Sequence, residues 1–268
     1  MSERPTTLYK YEPFTLRAIQ NLKQQSLYFG PPSSFNDPYD CALTPRFKAP
    51  TDIEVCAVLA KLISSPDTPK EIKQQLELSP IPTLKEQLVA STRFLVEKKC
   101  NEFNTSHGIS CFSEINNNLL MWSHYGGQHR GFCLEFSTDF EPFIKIHRVT
   151  YGTDIPEVSV SRLMVDEDYQ QVLDLFCRKS ADWAYEREWR VIHKEVGTAY
   201  TYNSSALTAV YFGAQMTVQD IDMLCLILHG QNPDVKLFRG FRSESEYKID
   251  FKPFTYTTLR DARVSDLT

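Results

Sequence analysis

The chain reads as an α+β protein, with a mixed, mainly antiparallel sheet core, flanking helices and a helical insertion. Three observations predict this. Short apolar and aromatic runs, bounded by Gly, Pro, Asn and Asp, recur along the sequence as strands do. Segments with helical spacing separate only some of them, so strands outnumber βαβ crossovers and a mixed or antiparallel sheet follows. Between residues 51 and 103 the texture shifts to Lys, Gln, Glu and Leu punctuated by Pro66, Pro69, Pro80 and Pro82. That stretch is expected to be a helical insertion or cap within a single domain spanning 1–268.

The elements follow in order. Leu8-Tyr9-Lys10-Tyr11 has strand residues, and Leu16, Ile19 and Leu22 recur at helical spacing. Ser26 to Phe29 forms a second short strand, stopped by Gly30-Pro31-Pro32. Phe35-Asn36-Asp37-Pro38-Tyr39-Asp40 is a dense turn, because Asn and Asp bond their own backbone and Pro38 restricts Asp37. In the insertion, Ile53, Ala57, Leu59, Ala60 and Ile63 predict one amphipathic helix, and Leu84, Leu88, Phe94 and Leu95 another. Strands resume at Gly108–Ser113 and Gly131–Phe136, with a helical turn between them over Asn118–Tyr125. Residues 144–151 are expected to be extended. A helix is expected over Asp166–Ala184, its Asp166, Glu167 and Asp168 placed where the helix dipole favours them. Glu188–His193 alternates like a half-buried strand. A strand over Thr208–Gly213, a helix over Thr217–Leu228, a strand over Val235–Arg239 and an edge over Tyr247–Phe251 complete the series.

Composition narrows the function. Hydrophobic residues are 42% of the 268 and charged residues 24%, as in ordinary globular proteins. A net charge of −5 argues against a surface built mainly for phosphate backbones. No apolar run approaches the roughly 20 residues that span a bilayer, so no membrane partner is expected. The first residues lack the apolar stretch of a signal peptide, which predicts a cytoplasmic location. Seven scattered cysteines, with no C-x-x-C, fit reduced thiols, and no metal site is expected.

Three groups of residues could carry chemistry. Glu186 and Glu188 stand two apart at the start of a predicted strand, where an extended backbone puts both carboxylates on one face. Such a pair either holds a sugar hydroxyl and assists at the reacting centre, or pairs with Arg187, Arg190 or Lys194 at a solvated sheet end. Met121-Trp122-Ser123-His124-Tyr125 is the densest cluster. On a helix Trp122 and Tyr125 share a face, with His124 offset and able to act as acid or base near neutral pH. The alternative is that Trp122 anchors the helix while His124 caps a neighbour. Asn36 and Asp37 either close a turn or present oxygens at a cleft mouth. Trp183 and Trp189, which flank the acidic pair, are expected to be core anchors.

The blocks LYKY (8–11), LYFGPPSSFNDPYD (27–40), ISCFSEINNNLLMWSHY (109–125), GFCLEF (131–136), WAYEREWR (183–190) and VYFG (210–213) resemble a bacterial family of unknown function, DUF2971. The resemblance covers most of the chain outside 51–103. It implies one shared fold without naming an activity. The LYFG block and its polar turn are also similar to ADP-ribosyltransferase folds, in which an aromatic side chain stacks on nicotinamide. That resemblance implies that Lys10 or Tyr11 stands where such enzymes carry His or Arg. Tyr28 would then stack, Ser110 and Ser113 would order the site, and Glu188 would hold the ribose. Cleavage of the nicotinamide–ribose bond passes through an oxocarbenium-like state that a nearby carboxylate stabilises.

Two functions are therefore expected. One is an enzyme acting on NAD or a related nucleotide at the ribose, by transfer or hydrolysis, as in toxins and phage-defence effectors. Glu188, Glu186 and His124 would be catalytic; Lys10, Tyr11, Tyr28, Asn36, Asp37, Ser110, Ser113, Trp122 and Tyr125 would bind. Transfer would need an acceptor, protein or nucleic acid. The other is a non-catalytic module that senses a nucleotide or protein partner through the same cleft. The first expects Tyr28, Ser110, His124, Glu186 and Glu188 to converge in one pocket.

Overall fold

Hydrophobic alternation over LYKY produces the central strand. β1 (Thr7–Glu12) leads into α1 (Leu16–Lys23), whose Thr15 side chain accepts the amide of Ala18 and starts the helix. β2 (Ser26–Tyr28) follows. Next come β3 (Arg46–Lys48), α2 (Asp52–Ser64), α3 (Lys70–Leu78) and α4 (Ile81–Ser106). The chain returns through β4 (Gly108–Ser113), α5 (Leu119–His124), β5 (Phe132–Ser137) and β6 (His147–Arg148). β7 (Thr150–Gly152), β8 (Glu157–Ser159), α6 (Val160–Met164), α7 (Gln170–Leu175) and β9 (Arg178–Ser180) precede β10 (Glu188–His193) and β11 (Ala199–Thr201). β12 (Leu207–Phe212), α8 (Val218–Gln231), β13 (Lys236–Arg242) and β14 (Ile249–Phe254) end the series. This computed structural model describes residues 4–41 and 44–258.

The described residues form two compact units. The first runs to Gly30, then over Gly108–Val149, then from Asp182 onward; the second is Pro31–His107 with Thr150–Ala181. The helical segment 51–103 lies within the second.

An eight-stranded sheet in the order β14-β13-β12-β5-β1-β4-β10-β6 dominates the first unit. All its pairs are antiparallel except β12 with β13, which α8 connects as a crossover. The fold is thus α+β with a mainly antiparallel sheet. Its two faces differ. Leu8, Phe112, Leu134, Phe136, Val191 and Val210 face α1 and α8 in the main apolar core, with Trp189. The other face carries Tyr9, Tyr11, Cys133, Ala209 and Tyr211, packed beside Met121 and Trp122 of α5. Register fixes which residue meets which face: Tyr9 opposes Glu135 and Ser113, and Glu188 opposes Ser113. Gly108 permits the close passage of β2, since a Cβ there would stand 2.5 Å from the Phe29 carbonyl oxygen.

In the second unit, Val55, Val58, Leu84, Leu88 and Val160 form one cluster, and Val96, Val158, Leu163 and Leu175 another. The buried stripe differs from the expected one. Ile53 is 82% exposed and Phe94 66%, because the stripe through Val55, Val58, Leu84, Leu88, Thr92 and Val96 faces inward instead. α2 starts on a reciprocal capping box between Thr51 and Glu54.

The helix expected over Asp166–Ala184 is corrected. Only Gln170–Leu175 is α-helical; Arg178–Ser180 is β9, and Ala181–Glu186 is a 3-10 turn. Glu167 takes a left-handed backbone, φ 54°, which no helix interior tolerates. Its carboxylate meets Lys61 at 2.7 Å, and Asp168 pairs with Arg162. β9 is recruited by parallel pairing with β7, and its Lys179 is buried against Asp40 at 3.3 Å. Tertiary partners override the local helical spacing there.

Candidate functional site

The site belongs to the first unit and is built where β10 begins. The 3-10 turn ends at Glu186, Arg187 takes a left-handed φ of 43°, and Glu188 opens the strand. Glu186 is therefore not extended, yet both carboxylates are withdrawn from solvent, at 2% and 4% exposure. Ser113 Oγ donates to the Glu186 carbonyl at 2.6 Å and accepts the Ile115 amide, which pins the turn to the end of β4.

Glu188 and Arg190 are two apart on one strand, so their side chains share a face. Arg190 Nε donates to Glu188 Oε1 at 2.8 Å and Nη2 to Oε2 at 3.2 Å, a forked pair in which Arg190 is wholly buried. Of the partners that the sequence offers Glu188, it takes Arg190, inside the molecule and not at a solvated end. Cys111, directly opposite Arg190, has its thiol pushed well above the usual range by burial and by the Glu188 charge.

α5 supplies the second wall. Asn118 caps it by accepting the amides of Leu120 and Met121. Trp122 locks its position: the ring is fully buried, Nε1 donates to Asn116 O at 2.6 Å, and Tyr11 meets it edge-on at 5.2 Å. One turn later Tyr125 donates its hydroxyl to Glu186 Oε1 at 2.5 Å. His124 points outward, with Trp183 and Tyr185 ring centroids 6.3 and 6.4 Å from its own. Trp183, expected as a core anchor, is instead part-exposed beside this imidazole, whereas Trp189 is buried as expected.

A polar row crosses the same sheet face: Glu188, Ser113, Tyr9 and Glu135 lie opposite one another on β10, β4, β1 and β5. The Glu135 carboxylate accepts Tyr211 OH at 2.5 Å and Thr208 Oγ1 at 2.6 Å. Burial and the Glu135 charge push the Tyr9 hydroxyl up to about 12. Tyr9 and Glu135 were not legible as site residues, because only strand register puts them beside Ser113. Among the described residues no three His, Cys, Asp or Glu side chains gather closely enough to hold a metal ion.

The model of a family described as "Protein of unknown function (DUF2971)" matches residues 121–191. Over that span the chain is similar to this family. No curated protein and no solved structure matches it. The DUF2971 span includes most of α5 and reaches into β10, and so carries Trp122, His124, Tyr125, Trp183, Tyr185, Glu186, Glu188 and Arg190. The similarity to ADP-ribosyltransferases rests on the sequence pattern alone.

Of the residues named from sequence, the fold gathers Glu186, Glu188, His124, Tyr125, Trp122, Ser113 and Tyr11 around this DUF2971 segment. Tyr11 is a wall, its hydroxyl donated to Ile115 O at 2.9 Å. Lys10 and Ser110 alternate onto the other sheet face. Lys10 Nζ lies over the Phe112 ring, 3.6 Å from Glu12, and the Ser110 hydroxyl is buried with no hydrogen-bond partner among the described residues. Tyr28 packs against the Arg17 guanidinium at 5.0 Å. The backbone bridge that follows it, Gly30 with Ile109, lies at the Ile192 end of β10, not the Glu188 end. Tyr28 and Ser110 thus do not converge with the acidic pair. Asn36 and Asp37 belong to the second unit, where Asn36 is exposed and Asp37 Oδ1 accepts the Tyr39 amide in a turn.

Proposed function

We propose that this protein acts on a nucleotide at its ribose, with NAD the first substrate to test. The observation that supports the reading most is the Tyr125–Glu186 hydrogen bond, with an exposed His124 next to Tyr125 in the chain and Trp183 and Tyr185 near its ring. Two part-exposed aromatic rings offer a planar base a stacking surface. Glu186 then lies below the sugar, where a carboxylate favours the positive charge of an oxocarbenium-like state. In this reading His124 takes a proton from the attacking group. In hydrolysis, water adds to the anomeric carbon, nicotinamide departs with the bond electrons, and the water proton passes to His124. In transfer, a protein or nucleic-acid acceptor replaces water. Glu188 enters differently than its spacing suggested: bound to Arg190, it shapes the field around Glu186 instead of holding the sugar.

The test is nicotinamide release from NAD by the purified protein. Release that falls at least a hundredfold in Glu186→Gln and in His124→Ala, with unchanged melting temperatures, supports the chemistry. Release that persists in both variants removes these residues from it.

A second reading, binding without chemistry, is favoured by the forked Arg190 contact that occupies both Glu188 oxygens. It expects calorimetric NAD binding with no nicotinamide release. Absence of both binding and release discards the nucleotide reading altogether.

A further inference from the structure

A second feature adjoins the acidic pair. Within the run Glu186-Arg187-Glu188-Trp189-Arg190, only Arg187 is exposed; the other four side chains are buried. A left-handed backbone at an arginine is strained, and such strain concentrates where side chains must be aimed. Arg187 lines a cleft of about 580 Å³ together with Ile115, Asn117, Asn118, Leu119, Leu120, Tyr247 and Lys248.

The nearby acids are committed elsewhere. Glu114, whose amide bonds the Arg187 carbonyl, directs its carboxylate to Trp189 Nε1 at 2.8 Å and to Arg148 at 4.0 Å. Lys248 is the other cation of the cleft, and it is neutralised by Glu246 and Asp250. Among the described residues no carboxylate stands within ion-pair distance of Arg187. Asn118 uses its Oδ1 on the amides of Leu120 and Met121, which leaves its NH₂ group as a donor. The cleft thus combines an uncommitted guanidinium with amide donors, a set that suits an anion with several acceptor oxygens.

We propose that the Arg187 cleft is a phosphate subsite, taking the diphosphate of a nucleotide whose ribose lies at Glu186. It rests on the nucleotide reading for its ligand, though not for its chemistry. Arg187 supplies the forked contact to phosphate oxygens, and Asn117 and Asn118 supply further donors.

The experiment is calorimetric titration of adenosine, ADP and inorganic pyrophosphate into the wild type, Arg187→Ala and Arg187→Lys, at two salt concentrations. Wild type is expected to bind ADP at least tenfold more tightly than adenosine, with the difference shrinking as salt rises. Arg187→Ala is expected to erase that preference while adenosine affinity stays unchanged, and Arg187→Lys to restore only part of it. Since Arg187 is exposed, an unchanged melting temperature certifies the fold. An ADP preference that survives in Arg187→Ala overturns the subsite. If adenosine and ADP both fail to bind wild type, the nucleotide reading falls and pyrophosphate decides. Binding that depends on Arg187 then keeps the subsite; absence of pyrophosphate binding discards it.

Discussion

At the scale of single residues, the site depends on polar groups removed from water and satisfied by one another. The Tyr125 hydroxyl on Glu186 and the Arg190 fork on Glu188 are both of this kind. Removing one member leaves the other buried and short of a partner, which costs more than the bond itself contributes. Tyr125→Phe is expected to lower stability by about 1–2 kcal/mol, read from the denaturant midpoint at constant slope. If the nucleotide reading holds, it also cuts nicotinamide release at least tenfold. Arg190→Ala is expected to cost about 3–5 kcal/mol, because it takes the forked cation away from a buried carboxylate. A shift below 1 kcal/mol would mean that Glu188 does not depend on the fork.

At the scale of elements, short segments are held by caps and by pairing. α2 is the clearest case. Thr51 Oγ1 accepts the Glu54 amide, and Glu54 Oε2 accepts the Thr51 amide, while Ser161 donates to Glu54 Oε1 at 2.6 Å. Thr51→Ala is expected to destabilise by about 1 kcal/mol, with the loss seen in hydrogen exchange of the α2 amides. The Ser161 and Thr51 hydrogen bonds hold the Glu54 carboxyl down at about 2, from 4.5. A carboxyl depressed in the folded state stabilises it above its unfolded value, and the contribution fades as pH falls through the folded one. Melting of the wild type should therefore drop more steeply between pH 4.5 and 2 than melting of Glu54→Gln. Parallel slopes would refute this. The capping signal T-x-x-E stood in the sequence, whereas β3, β8 and β9 did not, since each is three residues long and exists only by pairing.

At the scale of the whole molecule, β1 stands in the interior of the eight-stranded sheet, with β5 and β4 on its two sides. Its partners lie more than a hundred residues downstream, so the sheet cannot close until the chain has returned twice. Leu8→Asp, which buries an unpaired charge at a fully enclosed position, is expected to abolish the cooperative melting transition; Phe94→Ala, on an exposed helix face, should shift stability by less than about 0.5 kcal/mol. What the sequence determined by itself was the set of strongly patterned elements: β1, α1, β4, α5, β5, β10, β12, α8, β13 and β14. Their apolar periods and caps are local properties, readable within a dozen residues. It also marked Glu186, Glu188, His124 and Tyr125 as chemically dense. Tertiary structure alone decided which of these meet. Tyr9 and Glu135 join Ser113 through register, Lys10 and Ser110 are turned away by alternation, and Tyr28 leaves with β2 to the other end of the strand. It also gave Glu188 its Arg190 fork and left Arg187 uncommitted, because strand pairing and the φ of one residue are set by partners distant in the chain.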